Sequence, residues 1–212
     1  MPISAQVMTV SPQEQQTINY YNTQAESWFE RHSSNPLYWQ PELELFQKYL
    51  PQGAVLDIGC GAGRDAKPLL EMGYAYTGID ASTGLIEIAK KQVLEGRFLC
   101  QNVLDLDFPA ASFDGFLCNA VLLHIPKERV SDALQSIKAV MKPGAVGFIT
   151  VKEGVGTLLE EKTGRWFYLY TQDELAAILR VNGFAIECQD KPQKTPNVKV
   201  KNDWLTFFVR VQ

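Results

Sequence analysis

Three glycines at every second position follow directly after a short apolar run in the segment VLDIGCGAGRDA, residues 55–66. They are Gly59, Gly61 and Gly63, and the apolar run before them contains one acid, Asp57. Glycine loses more conformational freedom on folding than other residues, so such a cluster indicates a main chain that turns sharply or approaches a ligand closely. The segment therefore predicts a buried strand, a ligand-binding turn and the start of a helix.

Apolar strand-like runs and amphipathic helical patterns alternate along most of the chain. Strands are predicted at 54–59, 75–80, 97–102, 113–120, 145–152, 184–188 and 204–211. Helices are predicted at 12–31, 42–49, 65–72, 82–93 and 127–141, and from Thr171 to Gly183. This alternation is typical of a parallel sheet that is covered by helices on both faces. Because no helix separates the last two strands, we expect an α/β fold: a three-layer α/β/α sandwich whose seven-stranded sheet is mostly parallel, with the last strand antiparallel.

Length and charge limit the function classes. With 212 residues and a net charge of -4, the chain can bury one sizeable domain, and the charge argues against a nucleic-acid partner. We divide the chain into an N-terminal helical lid at 1–40 and a larger ligand-binding domain at 41–212. The lysines of 191–201 fit a solvated loop between the last two strands. The sequence gives no indication of oligomeric state.

Targeting and metal-binding signals are missing from the sequence. The first 20 residues are polar, unlike a secretory signal, and no apolar stretch approaches the ~20 residues of a membrane helix. We therefore expect a cytoplasmic protein with no membrane partner. Only two histidines are present, and the four cysteines are far apart without a C-x-x-C pair, so no metal site is expected.

Asp80 adds a second sign of a nucleotide-like ligand. It ends the predicted second strand, and ligands of such sheets bind beyond the carboxyl ends of the strands. An acid at this position can accept hydrogen bonds from both hydroxyls of a ribose. A nicotinamide-dependent dehydrogenase is the competing interpretation, but its G-x-G-x-x-G pattern has the third glycine one position later than Gly63.

Five segments in order carry a family resemblance: VLDIGCGAGR, TGID, FLCQNVLDLDFPAASFD, CNAVLLHIP and MKPGAVGFIT. Over about residues 40–190 the chain resembles the class I S-adenosylmethionine (SAM)-dependent methyltransferases of small bacterial type. The resemblance implies SAM as cofactor and S-adenosylhomocysteine (SAH) as product. The cofactor-binding residues that it implies are Asp57, Gly59, Cys60, Gly61, Gly63, Arg64, Asp80, Ala81, Asn102, Val103, Asn119 and Ala120.

The resemblance also assigns these residues to parts of SAM. Asp57 and the 59–63 backbone would hold the methionine end, Asp80 the ribose, and Ala81 the adenine. Asn102 and Val103 would flank the adenine edge, and Asn119 with Ala120 would line the methionine side near the sulfonium. The family commonly has an acid where Asn102 stands. Because an Asn side-chain oxygen can still accept a hydrogen bond from the adenine amino group, we expect this contact to be changed and not lost.

The class of methyl acceptor is restricted mainly by motifs that the sequence lacks. After the fourth strand the chain has neither the Asn/Asp-Pro-Pro-aromatic motif of nucleic-acid amine methylation nor a Pro-Cys nucleophile. We therefore expect a small-molecule acceptor with an O, N or S nucleophile, methylated mainly through proximity and in-line orientation. A methyltransferase of RNA or protein and a catalytically silent SAM-binding module are the alternatives.

Candidate acceptor-site residues come from the N-terminal helix and from the segment after the fifth strand. They are Tyr20, Tyr21, Trp28, His124, Arg165, Trp166 and Tyr168. A cation among aromatic rings suits an aromatic or anionic acceptor. His124 is the candidate catalytic base, and the alternative is that it is packed and hydrogen-bonded at the start of a helix.

Overall fold

A computed structural model describes residues 10–33, 39–190 and 204–212. The helices are α1 (Pro12–Thr23), α2 (Ala25–His32), α3 (Gln40–Tyr49), α4 (Ala66–Glu71), α5 (Thr83–Gln92), α6 (Val130–Val140) and α7 (Gln172–Val181). The strands are β1 (Ala54–Ile58), β2 (Ala75–Asp80), β3 (Arg97–Cys100), β4 (Phe113–Asn119), β5 (Met141–Lys152), β6 (Thr157–Glu160), β7 (Arg165–Tyr168), β8 (Phe184–Asp190) and β9 (Trp204–Val211).

Seven of these strands form one sheet in the order β3-β2-β1-β4-β5-β9-β8. The pairs β1–β2, β1–β4, β2–β3 and β4–β5 are parallel. The last strand, β9, is antiparallel to both of its neighbours, β5 and β8. The predicted mostly parallel sheet with an antiparallel last strand is therefore confirmed.

Successive residues of the central strands enter two different cores. Leu56, together with Phe116, packs in a core that also contains the buried faces of α6 and α7. Val55 and Leu117 pack in the other core, with α3, α4 and α5. Because side chains alternate across a strand, a run that is apolar at every position needs cover on both faces. The three-layer α/β/α arrangement follows directly.

Two parts of the chain differ from the sequence-based prediction. The single helix predicted at 12–31 is two helices, since Gln24 adopts φ −111° and ψ 17° and ends α1. The segment 154–171 contains an unpredicted hairpin, in which β6 and β7 pair antiparallel. The lysines predicted to lie in a loop at 191–201 fall outside the described residues. Within the described ranges, no helix is long and apolar enough to cross a membrane.

Candidate active site

A cavity of about 1050 Å³ lies beyond the carboxyl ends of β1, β2, β4 and β5. The strand order reverses between β1 and β4, and such a reversal opens a crevice in a doubly wound sheet. Helices α1 and α2 and the β6–β7 hairpin, which we call the roof, cover it. The predicted site residues that line the cavity are Tyr20, Tyr21, Trp28, Gly59, Cys60, Gly61, Gly63, Arg64, Asp80, Ala81, Asn102, Val103, Asn119, Ala120, His124 and Arg165.

The glycine turn after β1 forms the floor of the cavity. Gly59, Gly61 and Gly63 have φ angles of 71°, 56° and 82°, in the left-handed region that favours glycine. A Cβ on Gly59 would lie 2.2 Å from the Cγ2 of Val121, whereas a Cβ on Gly61 would meet nothing within 4 Å. Gly59 is therefore required for packing, and Gly61 leaves open space above the main chain.

The carboxylate of Asp80 is held at the end of β2 by two backbone donors. The Gly61 N–H donates to Oδ2 at 3.0 Å, and the Ser82 N–H donates to Oδ1 at 2.8 Å. Burial raises the pKa of Asp80, and these two hydrogen bonds oppose that effect. Because a carboxylate has about four lone-pair positions, both oxygens keep capacity for a ligand hydroxyl.

Asp57 lies behind the glycine turn and not on the cavity wall. Its carboxyl is buried and accepts a hydrogen bond from the Tyr76 hydroxyl at 2.8 Å. Burial, followed by the nearby charge of Asp65, raises the pKa of Asp57 to about 7. The Asp57 side chain thus joins β1 to β2 two residues before the turn.

Charged and amide groups continue around the floor. Arg64 makes a bidentate ion pair with Asp65, with distances of 3.0 Å. On the next wall, Asn102 Oδ1 accepts the Leu104 N–H at 3.0 Å, so one acceptor position of this amide is already used. Val103 is buried beside it.

The exit of β4 is unusual in its backbone. Ala120 has a φ of 60°, which costs a non-glycine residue about 1–2 kcal/mol. Its N–H donates to Thr150 Oγ1 at 3.0 Å, and the same hydroxyl donates to Asn119 Oδ1 at 2.5 Å. The pairing of β4 with β5 thus holds Asn119 and Ala120 in fixed positions at the cavity wall.

A chain of hydrogen bonds joins the roof to the wall. His124 Nδ1 lies 2.7 Å from the Trp166 carbonyl oxygen, and Nε2 lies 3.0 Å from the Tyr21 hydroxyl. Because a carbonyl can only accept, Nδ1 carries the proton and Nε2 accepts from Tyr21. Burial lowers the pKa of His124 to about 3, which keeps the ring neutral. The Tyr21 oxygen accepts in turn from Arg165 Nη1 at 3.0 Å.

One further hydrogen bond holds the roof together, and two further contacts attach it to the rest of the fold. Thr17 Oγ1 of α1 accepts the Trp166 N–H of β7 at 3.2 Å, and the buried Glu14 pairs with Arg129 at 2.5 Å. Asn22 Oδ1 accepts from the hydroxyl of Ser82 at 2.9 Å, which joins the end of α1 to the first turn of α5.

Alternation along β7 decides which of its side chains reach the cavity. Arg165 and Phe167 line it, whereas Trp166 and Tyr168 do not. The Trp166 indole N–H donates to Gln16 of α1, so this ring faces α1. The two residues were predicted in the acceptor pocket, and the strand geometry turns them away from it.

Two lining residues of this region were not predicted. Phe167 packs beside His124, with ring centroids 4.8 Å apart. Lys152, the last residue of β5, lies with its ammonium nitrogen 4.3 Å from the centre of the Phe167 ring. Once the segment is recognised as a strand, the alternation of side chains places Phe167 on the same face as Arg165.

Comparison with known proteins identifies the family. Residues 55–144 match the family described as "Methyltransferase domain". A Methanocaldococcus jannaschii protein, described as uncharacterized, is 31% identical over 150 residues, which cover 68% of this chain and 68% of that protein. The ubiquinone biosynthesis O-methyltransferase of Coxiella burnetii is 32% identical over 126 residues, or 56% of this chain and 51% of that enzyme. The chain is a class I SAM-dependent methyltransferase.

A solved structure supports the same family and cofactor. The methyltransferase is similar to the 1,6-didemethyltoxoflavin-N1-methyltransferase of Burkholderia thailandensis, which was solved with 1,6-didemethyltoxoflavin and SAH. The TM-score is 0.76 at 25% identity, and the match covers 100% of this chain and 98% of that one. As a member of this family, the chain uses SAM as its cofactor. The chain spans only about half the length of the C. burnetii enzyme.

Proposed function

We propose that this methyltransferase acts on a small molecule, which binds beside SAM inside the roofed cavity. The observation that carries the proposal is the roof itself, because α1, α2 and the β6–β7 hairpin cover the carboxyl ends of the strands. Single-ligand pockets are about 300–1,000 Å³, so a cavity of about 1050 Å³ can hold the cofactor together with a small acceptor. Residues 1–40 would then act as the lid.

The residues of the floor fit SAM. The open space at Gly61 allows a ligand to approach the main chain, and Asp80 keeps one acceptor position on each oxygen for the two ribose hydroxyls. We assign Ala81, Asn102 and Val103 to the adenine. We assign Gly59, Cys60, Gly63, Arg64, Asn119 and Ala120 to the methionine side of SAM. Asp57 would support the turn from beneath.

The chain accelerates transfer mainly by holding the acceptor in place. SAM supplies a methyl group on a sulfonium, whose leaving group is a neutral thioether. Fixed walls such as the Asn119–Ala120 exit can orient an acceptor and exclude water, and orientation of this kind supplies about 7–11 kcal/mol in favourable cases. No side chain needs to form a covalent bond with the acceptor.

His124 acts as a positioning residue in this account. Both of its ring nitrogens are used, by the Trp166 carbonyl and the Tyr21 hydroxyl, and its pKa of about 3 makes it a weak base. Its function is to hold the Tyr21 hydroxyl, and through it the roof, against the acceptor side of the cavity.

The names of similar enzymes agree with a small acceptor. One is an O-methyltransferase of ubiquinone biosynthesis, and the other methylates N1 of 1,6-didemethyltoxoflavin. Both names describe methylation of an O or N atom in a small molecule.

The proposal is tested by SAH formation. The purified protein is incubated with SAM and a panel of phenols, catechols, heteroaromatic amines and thiols, with the Asp80→Asn variant as control. We expect SAH above background with at least one small acceptor and much less with the variant. SAH formation only with RNA or protein added would refute the proposal, and no SAH with any addition would favour the silent SAM-binding module.

A further inference from the structure

Lys152 places on the wall of the cavity a positive charge that makes no ion pair with any described residue. It is half-buried, and its ammonium group lies over the Phe167 ring at 4.3 Å. Among the described residues, no carboxylate lies within ion-pair distance of it. Burying a charge is costly unless it is paired, so this cation is suited to a ligand that supplies the opposite charge.

The other charged groups on the wall have partners. Asp80 accepts two backbone N–H groups, as described above. The ion pairs are Arg64 with Asp65, Glu14 with Arg129 and Arg165 with Glu160, and Arg31 donates a hydrogen bond to the Tyr20 hydroxyl. Lys152 differs from all of these.

Arg165 strengthens the positive field around the same ring. Its guanidinium carbon lies 5.1 Å from the centre of Phe167, although Glu160 and the Tyr21 hydroxyl hold the group in place. Burial, followed by the charge of Arg165, lowers the pKa of Lys152, and the charge of Glu160 partly opposes this effect. An anion bound between the two cations would relieve this repulsion.

The location separates Lys152 from the ribose end of SAM. Lys152 lies two residues beyond Thr150 on β5, next to the Asn119 exit of β4. Asp80 ends β2, three strand spacings away, which corresponds to about 14 Å. The rings of Tyr21, Trp28 and Phe167 line the cavity, and their centres lie 5.1–5.5 Å from the Arg165 guanidinium carbon.

We infer that the acceptor is an aromatic molecule with a negatively charged substituent, and that Lys152, with Arg165 behind it, binds that charge. The inference rests on the proposed function and narrows it to aromatic carboxylates and related anions. Rings of the roof and wall would contact the aromatic body, and the charged end would point to β5.

Calorimetric titration of the protein–SAH complex tests this inference with matched probes. The probes are 4-hydroxybenzoate and 3,4-dihydroxybenzoate, each compared with its uncharged benzamide. Hydrogen bonds to charged groups are stronger than those between neutral groups, so we expect each acid to bind at least about tenfold more tightly than its amide. Lys152→Met should remove the difference and leave SAH affinity unchanged, and Lys67→Met, at an exposed position, should change neither.

Two results of the titration would overturn the inference. The first is no preference for the acids, whether both members of each pair bind equally or neither binds at millimolar concentration. The second is weaker SAH binding by Lys152→Met, which would mean that Lys152 binds the cofactor carboxylate. SAH formation with neutral small acceptors alone would refute the charged acceptor and keep the proposed function. Acid binding that depends on Lys152, in an enzyme that methylates only RNA or protein, would refute the proposed function and with it the small acceptor, and would leave only an anion-binding site at Lys152.

Discussion

Replacement of Asp80 by Asn tests how the cofactor is held. The carboxylate accepts one backbone N–H on each oxygen, from Gly61 at 3.0 Å and Ser82 at 2.8 Å. Each oxygen has one further acceptor position, so the side chain can also accept both ribose hydroxyls. In the variant, an amide nitrogen in the place of Oδ2 would face the Gly61 N–H donor. It could accept a hydrogen bond neither from that N–H nor from a ribose hydroxyl.

The loss in affinity can be estimated from these contacts. The variant loses one charge-assisted hydrogen bond to a ribose hydroxyl and weakens the other. Such bonds are worth about 1.5–3 kcal/mol each, so SAH should bind roughly 10–100-fold more weakly. Calorimetric titration with SAH measures this directly.

Two controls separate the effect on binding from an effect on folding. Denaturant unfolding without ligand shows whether the variant is folded at the titration temperature. Glu87→Gln, at an exposed position of α5, removes one negative charge from the same region and should leave SAH affinity unchanged. SAH affinity of a folded Asp80→Asn within about threefold of the original protein would refute the reasoning, since about 1.4 kcal/mol corresponds to a factor of ten.

Three further predictions concern the turn and the roof. Tyr21→Phe leaves the buried Nε2 of His124 without its donor and should lower the free energy of unfolding by about 1–3 kcal/mol; an unchanged denaturant midpoint would contradict this. Gly59→Ala places a Cβ 2.2 Å from Val121 at a positive φ and should cost about 2–4 kcal/mol, partly recovered in a double variant with Val121→Ala; no recovery would exclude the clash as the cause. The pKa of Asp57 is raised from 3.8 to about 7, so the folded state retains a proton between these values. The contribution of Asp57 to stability is complete below pH 3.8 and is lost as the pH rises through about 7. Asp57→Asn should therefore make the free energy of unfolding less dependent on pH across that range. An unaltered slope of this free energy against pH would contradict the assignment.

The sheet was predictable because its signals are local. Runs such as 113–120 are apolar at nearly every position, which requires cover on both faces, and the missing helix before 204–211 indicated an antiparallel last strand. Gly59, Gly61 and Gly63 likewise indicated the turn, since their positive φ values are accessible mainly to glycine. These features depend on the chain within a few residues of each position.

The roof was less predictable because its structure depends on tertiary contacts. The helical pattern at 12–31 gave no sign of the break at Gln24, where the Asn22 side chain binds the start of α5. The segment 154–171 has aromatic residues at consecutive positions, so side-chain type alone could not separate Phe167 from Trp166. Lys152 was missed because a lysine at a strand end usually reaches solvent, and only the roof encloses it.

The central claim, a small acceptor inside the roofed cavity, is tested most directly by following the methyl group itself. The enzyme is incubated with methyl-labelled SAM and a cell extract, and the products are separated into protein, RNA and low-molecular-mass fractions. We predict label in the low-molecular-mass fraction, in compounds retained by an anion exchanger. Label confined to RNA or protein would contradict the account.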